Sequence, residues 1–195
     1  MISVGRKKMS NFDQAINATL AYEGIYSNRP SDKGGETLLG ISRVNFPNWE
    51  GWKLVDGLPK PIKVVPPKLM EMVKSFYFNV FWKAAKCDQF TDDKIAAELF
   101  DFAVNAGQPR AVRVLQSALN LLNNNAKRYT DIKEDGVIGP ITISLTNAHP
   151  ERDVLLSFMK VLRASFYINV ALKDPSQEEY VKGWFCRAIS LRSLS

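Results

Sequence analysis

The chain has 195 residues, a formal net charge of +6, a hydrophobic fraction of 46% and a charged fraction of 24%. This composition is close to that of globular domains and argues against wholesale disorder and fibrous repeats. No apolar run approaches the ~20 residues of a membrane-spanning helix. The basic balance favours a polyanionic partner, which would be nucleic acid, anionic lipid or an anionic cell-wall polymer.

Apolar residues recur at helical spacing along almost the whole chain, which predicts a mainly α globule. The expected helices run from Ser10 to Gly24, from a start after Pro66-Pro67, from Thr91 to Gly107, from Pro109 to about Asn123, and over residues 140–147, 150–172 and 175–190. Residues 24–66 are rich in Gly, Pro, Asn and Trp and predict an irregular excursion that holds one short helix or hairpin. Two sequence regions, 11–95 and 96–190, are expected to pack as one globule.

The cysteines and the histidine bear on metal and nucleophilic chemistry. Cys87 and Cys186 form no CxxC pair, and His149 is the only histidine. This leaves no Cys/His zinc ligand set, and we expect neither a metal nor a cofactor. Two buried free thiols are favoured over a disulfide. A Ser-His-Asp or Cys-His site would need His149, which precedes Pro150 at an expected helix start, and this alternative is weak.

Glu23 is the first candidate for chemistry, because it falls on the apolar side of the first predicted helix. On a helical wheel at ~100° per residue it lies within about 20° of Phe12, on the stripe that includes Ile16 and Leu20. It also falls in the last turn, where the helix dipole disfavours an anion. Both effects favour the protonated carboxyl and suit a general acid at neutral pH. The alternative is an exposed residue at a frayed helix end.

The residues after Glu23 form a pattern with chemical meaning. Asp32 follows Glu23 by nine positions and Thr37 follows Asp32 by five. This is close to the Glu-x8-Asp-x5-Thr arrangement of phage-type lysozymes, with one residue fewer before the threonine. More specifically, residues 23–41 resemble the E-G-G-Y and D-x-x-D-x-G-G-x-T-x-x-G-I-like motifs of the N-acetylmuramidases of glycoside hydrolase family 108. The first motif departs from the family pattern at Ile25.

The resemblance extends over most of the chain, from about residue 11 to 190. Residues 101–116, 135–142 and 182–187 are similar to the peptidoglycan-binding module that follows the muramidase region in that family. The resemblance implies a lysozyme-like α fold with an irregular active-site loop region, and cleavage of the MurNAc-β-1,4-GlcNAc bond. Members are phage or prophage endolysins and secretion-linked lysozymes, so it also implies a bacteriolytic enzyme that degrades cell walls.

The resemblance and glycosidic chemistry together suggest a role for each site residue. Glu23 would protonate the departing oxygen, while Asp32 would act as a nucleophile, steady the oxocarbenium-like charge, or activate water with Thr37. A purely structural role, in a loop turn or a strand, is an open alternative for Asp32 and Thr37. Tyr26 is the best candidate for stacking on a sugar. Asn105, on a polar flank of the third predicted helix, would touch acetamido or peptide groups, although such flanks more often have a structural role.

The expected route to the substrate follows from the N-terminal residues. Met1–Phe12 contains basic residues but no apolar stretch of the ~7–15 residues that a signal peptide has. We therefore expect synthesis in the bacterial cytoplasm, no stable membrane insertion, and release to the wall or periplasm through a holin-like pore or a secretion system. The alternative function is a non-catalytic helical module that binds peptidoglycan or nucleic acid. Scattered basic residues argue against nucleic acid.

Overall fold

The computed structural model describes residues 3–28 and 35–189, with side chains from Asn11 onward. Within those ranges the chain forms eight α-helices and three short strands, so the predicted mainly α fold is confirmed. In chain order the elements are α1 (Ser3–Leu20), β1 (Tyr26–Ser27), β2 (Thr37–Leu38), β3 (Ile41–Ser42), α2 (Trp52–Asp56), α3 (Pro67–Tyr77), α4 (Asp93–Ala106), α5 (Gln108–Leu121), α6 (Pro140–Ala148), α7 (Arg152–Lys173) and α8 (Glu178–Ile189). A π-helical turn follows α3, and short 3-10 turns precede α4 and α8.

Local signals fix the ends of α4. The Asp92 carboxylate accepts hydrogen bonds from the amides of Lys94 and Ile95, at 2.9 and 3.0 Å, and so caps the helix. Gly107, with a φ of +89°, ends it. Both ends were predicted. By contrast, α1 begins at Ser3, upstream of the predicted start at Ser10, and residues 6–9 in this stretch are good helix formers. It ends at Leu20.

The described residues fall into two compact units. The small unit comprises residues 13–80, and the helical unit comprises residues 1–12 with 81–195 as far as they are described. The predicted division into residues 11–95 and 96–190 concerns regions of the sequence and not these units, and it stays a prediction.

The small unit holds the whole of the excursion between α1 and α3. Its three strands form an antiparallel sheet in the order β1-β2-β3. The segment is therefore more structured than the single short helix or hairpin that was predicted, since it contains this sheet and α2. Its buried side chains include Leu38, Ile41, Val55, Leu69 and Val73.

In the helical unit α7 packs against α4, α5 and α8. By length and composition α7 could cross a membrane, which inspection of the sequence for apolar runs missed. A buried helix of a globular protein passes the same test. Arg163, at the middle of α7, is 1% exposed and forms ion pairs with Glu98 and Asp101 of α4, which identifies α7 as a core helix of this unit.

The two cysteines differ in their surroundings. Cys87 is buried, and burial raises the pKa of its thiol. Cys186 is exposed, so the prediction of two buried thiols is wrong for this residue. The buried position near the end of α8 is Ala188, and two helical residues turn about 200°, which points Cys186 to the opposite side.

Candidate active site

Glu23 lies in the turn that follows α1, just before β1. The last α-helical bond runs from the amide of Ala21 to the carbonyl of Asn17, whereas the amide of Glu23 reaches back only to Leu20, at 3.1 Å. The backbone thus tightens into 3-10-like bonding beyond the helix. Glu23 is half-buried and sits one short turn past α1, rather than in its last turn as predicted.

Gly40 shapes the surroundings of the Glu23 carboxylate. Its φ of +81° is one that L side chains rarely adopt. A Cβ atom at this position would stand 3.0 Å from Glu23 Oε2 and 2.6 Å from Tyr77 Oη. The buried Tyr77 donates its hydroxyl to the carbonyl of Leu39 at 2.7 Å. The carboxylate and the phenol therefore both pack on the glycine backbone, where there is room for a hydrogen atom only.

The small sheet separates two of the predicted site residues. Its register pairs Ser27 with Thr37 and Thr37 with Ser42, so their three hydroxyls share one face. Tyr26 alternates with Ser27 and belongs to the other face. Thr37 is half-buried and donates its Oγ1 to the carbonyl of Gly35 at 3.2 Å. Thr37 and Tyr26 therefore lie on opposite faces of the sheet.

Glu36 holds Tyr26 in place, a role that the sequence analysis missed. The Tyr26 hydroxyl donates to Glu36 Oε1 at 2.8 Å, and Lys60 Nζ donates to the same oxygen at 3.2 Å. Arg43 Nε forms an ion pair with Oε2 at 2.7 Å. Burial raises the pKa of Tyr26, and the hydrogen bond to Glu36 adds to the rise, so the phenol stays protonated at neutral pH. The spacing of two from Leu38 puts Glu36 on the Tyr26 face only once the pairing of Tyr26 with Leu38 is known, so the sequence alone carried no signal for this contact.

Asn105 lies in the last turn of α4, in the helical unit. Its Oδ1 accepts a hydrogen bond of 2.5 Å from the buried Tyr167 hydroxyl. Arg163 Nε donates to the same hydroxyl oxygen at 3.4 Å, which ties Asn105 to the core of this unit.

The rest of that polar flank forms ion pairs. Arg163 bonds Glu98 at 2.9 Å and Asp101 at 2.6 Å, and Arg187 bonds Asp101 through two nitrogens, at 3.0 and 2.7 Å. Burial raises the pKa of Glu98 beyond the opposing effect of Arg163. Burial also acts to raise the pKa of Asp101, but the Arg187 hydrogen bonds and both guanidinium charges outweigh it and bring that pKa down to about 2. The flank is structural at these two positions.

The remaining candidates are placed as follows. Asp32 lies outside the described residues. His149 is buried in the helical unit, its Nδ1 accepts from the amide of Glu151 at 3.2 Å, and burial lowers its pKa, so the imidazole is neutral at pH 7. Across residues 3–28 and 35–189, no three His, Cys, Asp or Glu side chains gather closely enough to hold a metal ion.

Comparison with known proteins connects this geometry to a family. The family model of glycosyl hydrolase 108 matches residues 16–107, and the model of a predicted peptidoglycan domain matches residues 110–189. The solved structure of SagA from Brucella abortus is similar in fold, with a TM-score of 0.60 at 20% identity, and the match covers 93% of this chain and 95% of that one. A search of curated proteins found no significant match.

The two family models cover adjoining parts of the chain and together span most of it. The fold shared with SagA agrees with the predicted lysozyme-like α architecture. The enzyme is therefore a glycoside hydrolase that acts on peptidoglycan, in which residues 16–107 belong to the glycosyl hydrolase 108 family and residues 110–189 form a C-terminal peptidoglycan-binding module.

Proposed function

We propose that this enzyme is an N-acetylmuramidase, a lysozyme that cleaves the MurNAc-β-1,4-GlcNAc bond with Glu23 as its general acid. The observation that supports this most is the packing of the half-buried Glu23 carboxylate on Gly40, beside the Tyr77 hydroxyl. A general acid must sit within hydrogen-bond reach of the oxygen that it protonates. Close packing on backbone restricts where the carboxylate can move and so favours that function.

Asp32 supplies the second carboxylate in this proposal. It acts as nucleophile, as electrostatic partner of the oxocarbenium-like transition state, or as a base that activates water with Thr37. A retaining course requires carboxyl groups about 5–5.5 Å apart, and an inverting course about 6.5–9.5 Å apart. The anomeric configuration of the first product, read by NMR, distinguishes the nucleophile from the base.

Two further residues are proposed to contact the glycan. Tyr26 is half-buried and has Lys60 Nζ 4.7 Å from its ring centroid, and it would stack on a sugar through the other face of the ring. Asn105 accepts from Tyr167 through Oδ1, so it would contact an acetamido or peptide carbonyl through its amide N–H groups. These contacts serve binding, and their loss would raise KM more than it lowers kcat.

The test is lysis of purified peptidoglycan by Glu23→Gln. We expect a loss of about 10²–10⁴-fold, because the amide keeps the shape of the side chain but has no acidic proton to donate. Glu50→Gln is the matched control, since Glu50 is exposed and pairs with Lys53 on the surface. Soluble products should carry reducing MurNAc ends by mass spectrometry. Lysis by Glu23→Gln within twofold of wild type, at equal circular dichroism, would reject Glu23 as the acid.

The setting proposed for this activity is bacterial lysis or secretion. An endolysin or a secretion-linked lysozyme made in the cytoplasm reaches the wall only through a holin-like pore or a secretion system. Fractionation of cells, described below, tests this proposal.

A further inference from the structure

A cavity in the small unit has no part in the chemistry proposed above. Its volume is about 290 Å³, and it opens between α3 and the loop that follows β3. The described residues that line it are Asn45, Phe46, Pro47, Asn48, Trp49 and Phe76. We propose that this cavity binds one neutral N-acetylglucosamine ring of the glycan, as a subsite of the enzyme. The identity of the ligand rests on the proposed function, whereas the geometry of the cavity does not.

The walls of the cavity are aromatic. The Phe46 and Phe76 rings meet edge to face with centroids 4.7 Å apart, and the Trp49 and Phe76 rings do so at 5.9 Å. The faces of such rings carry negative charge density, which attracts weakly positive C–H groups. A pyranose ring presents a row of C–H groups on one face and therefore suits these walls. The volume is close to the lower end of small-molecule sites, about 300–1,000 Å³, which suits a single ring.

The Trp49 ring is held in position before any ligand arrives. A Cβ atom at Gly51 would stand 2.3 Å from this ring, so the glycine lets the indole fold back onto its own backbone. Trp52 meets the Trp49 ring edge to face at 5.2 Å, and its indole N–H donates to the carbonyl of Phe46 at 2.8 Å. A binding wall that is already ordered loses little conformational freedom when the ligand binds.

The polar groups at the cavity select the kind of sugar. Asn45 and Asn48 are exposed and contribute amides, each with N–H donors and a carbonyl acceptor. An acetamido group carries the same two functions and can pair with them. None of the described lining residues is charged and the volume suits a single ring, whereas MurNAc carries a bulky lactyl group that is bonded to the stem peptide in the wall. The cavity therefore favours GlcNAc over MurNAc.

The cavity and the candidate acid are built on the same elements. Phe76 lines the cavity, while the next residue, Tyr77, packs on Gly40 beside the Glu23 carboxylate. On the sheet, Ser42 Oγ accepts a hydrogen bond of 3.3 Å from the amide of Asn45, at the start of the loop that forms the cavity. A ligand in the cavity would thus be bound by the same structural elements that place Glu23.

The test is a titration of ¹⁵N-labelled Glu23→Gln protein, which does not consume its ligand, with chitotriose, a neutral oligomer of GlcNAc. We expect the indole resonance of Trp49 and the side-chain amide of Asn48 to shift with one common Kd. Trp49→Ala should weaken binding by at least about tenfold, as truncation of an aromatic anchor commonly does. Asn48→Ala gives an independent test that leaves the core intact, because Asn48 is exposed. Asn79→Ala, at an exposed position that does not line the cavity, should leave the Kd unchanged.

Three outcomes would overturn the inference. The first is that Trp49→Ala and Asn48→Ala both bind chitotriose with a Kd within twofold of the parent. The second is that the Trp49 resonance does not shift at saturation. The third is that a MurNAc-bearing disaccharide binds more tightly than chitotriose. Failure of the proposed function looks different. In that case chitotriose still shifts Trp49, but wild-type protein releases no reducing MurNAc ends from peptidoglycan.

Discussion

Replacement of Gly40 by alanine tests whether the backbone at this position sets the position of the acid. The φ of +81° costs an L residue about 1–2 kcal/mol. The added Cβ would also stand 2.6 Å from Tyr77 Oη, and because Tyr77 is buried its ring has little room to retreat. If the phenol moves, the hydrogen bond to the Leu39 carbonyl is lost, and an unsatisfied buried carbonyl costs about 1–3 kcal/mol. We expect Gly40→Ala to destabilise the small unit by about 2–5 kcal/mol.

The effect on lysis should be larger than the effect on folding alone. The same Cβ stands 3.0 Å from Glu23 Oε2, so the carboxylate must shift, and a displacement near 1 Å can cost about 10²-fold in rate. Initial rates of peptidoglycan lysis, measured at concentrations of denaturant where the variant remains folded, report this loss. Gly57→Ala is the matched control, because Gly57 has an ordinary φ of −82° and its nearest neighbour would be 3.6 Å away.

A second substitution separates crowding from a general loss of structure. Tyr77→Phe removes the hydroxyl that the new Cβ would strike. The added cost of Gly40→Ala should therefore be smaller in a Tyr77→Phe background than in the wild type, as a double-mutant cycle would measure. Strict additivity, or a single Gly40→Ala variant that retains lysis within twofold and stability within about 0.5 kcal/mol, would refute this account of the site.

The remaining predictions concern the ion pairs, metals and release. Asp101→Asn should cost about 2 kcal/mol at pH 7, because the folded pKa of Asp101 is held at about 2 instead of 3.8. That stability is present above the unfolded pKa and is lost as the pH falls from about 4 to 2. Urea unfolding should therefore show the free energies of unfolding of variant and parent converging near pH 2. The same difference in the free energy of unfolding at pH 7 and near pH 2 would contradict this prediction. Peptidoglycan lysis should be unchanged in EDTA, and activity that disappears and returns with zinc would contradict the expectation of no metal. Cells that make the protein without a holin-like or secretion partner should retain it, and efficient appearance in the periplasm or medium would show that the chain carries its own export signal.

The sequence predicted those features that depend on neighbouring residues. The ends of α4 are local, since Asp92 caps the amides just after it and Gly107 adopts its own positive φ. Glu23 was predicted in the last turn of the first helix and lies one turn beyond α1, because the end of a helix also depends mainly on neighbouring residues. What surrounds Glu23 was not predicted, because Gly40 and Tyr77 reach it only through the tertiary packing of the small unit.

Two other features required information that a short sequence pattern does not contain. The strands are two residues long, so no alternation of apolar and polar residues could reveal that Tyr26 and Thr37 belong to opposite faces. In the sequence, the polar flank of α4 is compatible with a binding role as well as with the commoner structural role. The structural role at Glu98 and Asp101 became evident only from Arg163 and Arg187, which come from helices much later in the chain.

The pairing of α4 with Arg163 and Arg187 constrains how this enzyme can be rearranged by evolution or by engineering. The hydrolase family match ends at residue 107 and therefore includes α4, yet the buried carboxylates of α4 receive their countercharges from α7 and α8, inside the peptidoglycan-binding match. Fusion of residues 16–107 to an unrelated wall-binding domain would remove α7 and α8, so Glu98 and Asp101 would lose these partners and the apolar surface of α4 that packs on α7 would be exposed to water. The two matched regions are thus coupled in folding, and a chimaeric lysin would have to exchange α4 together with α7 and α8.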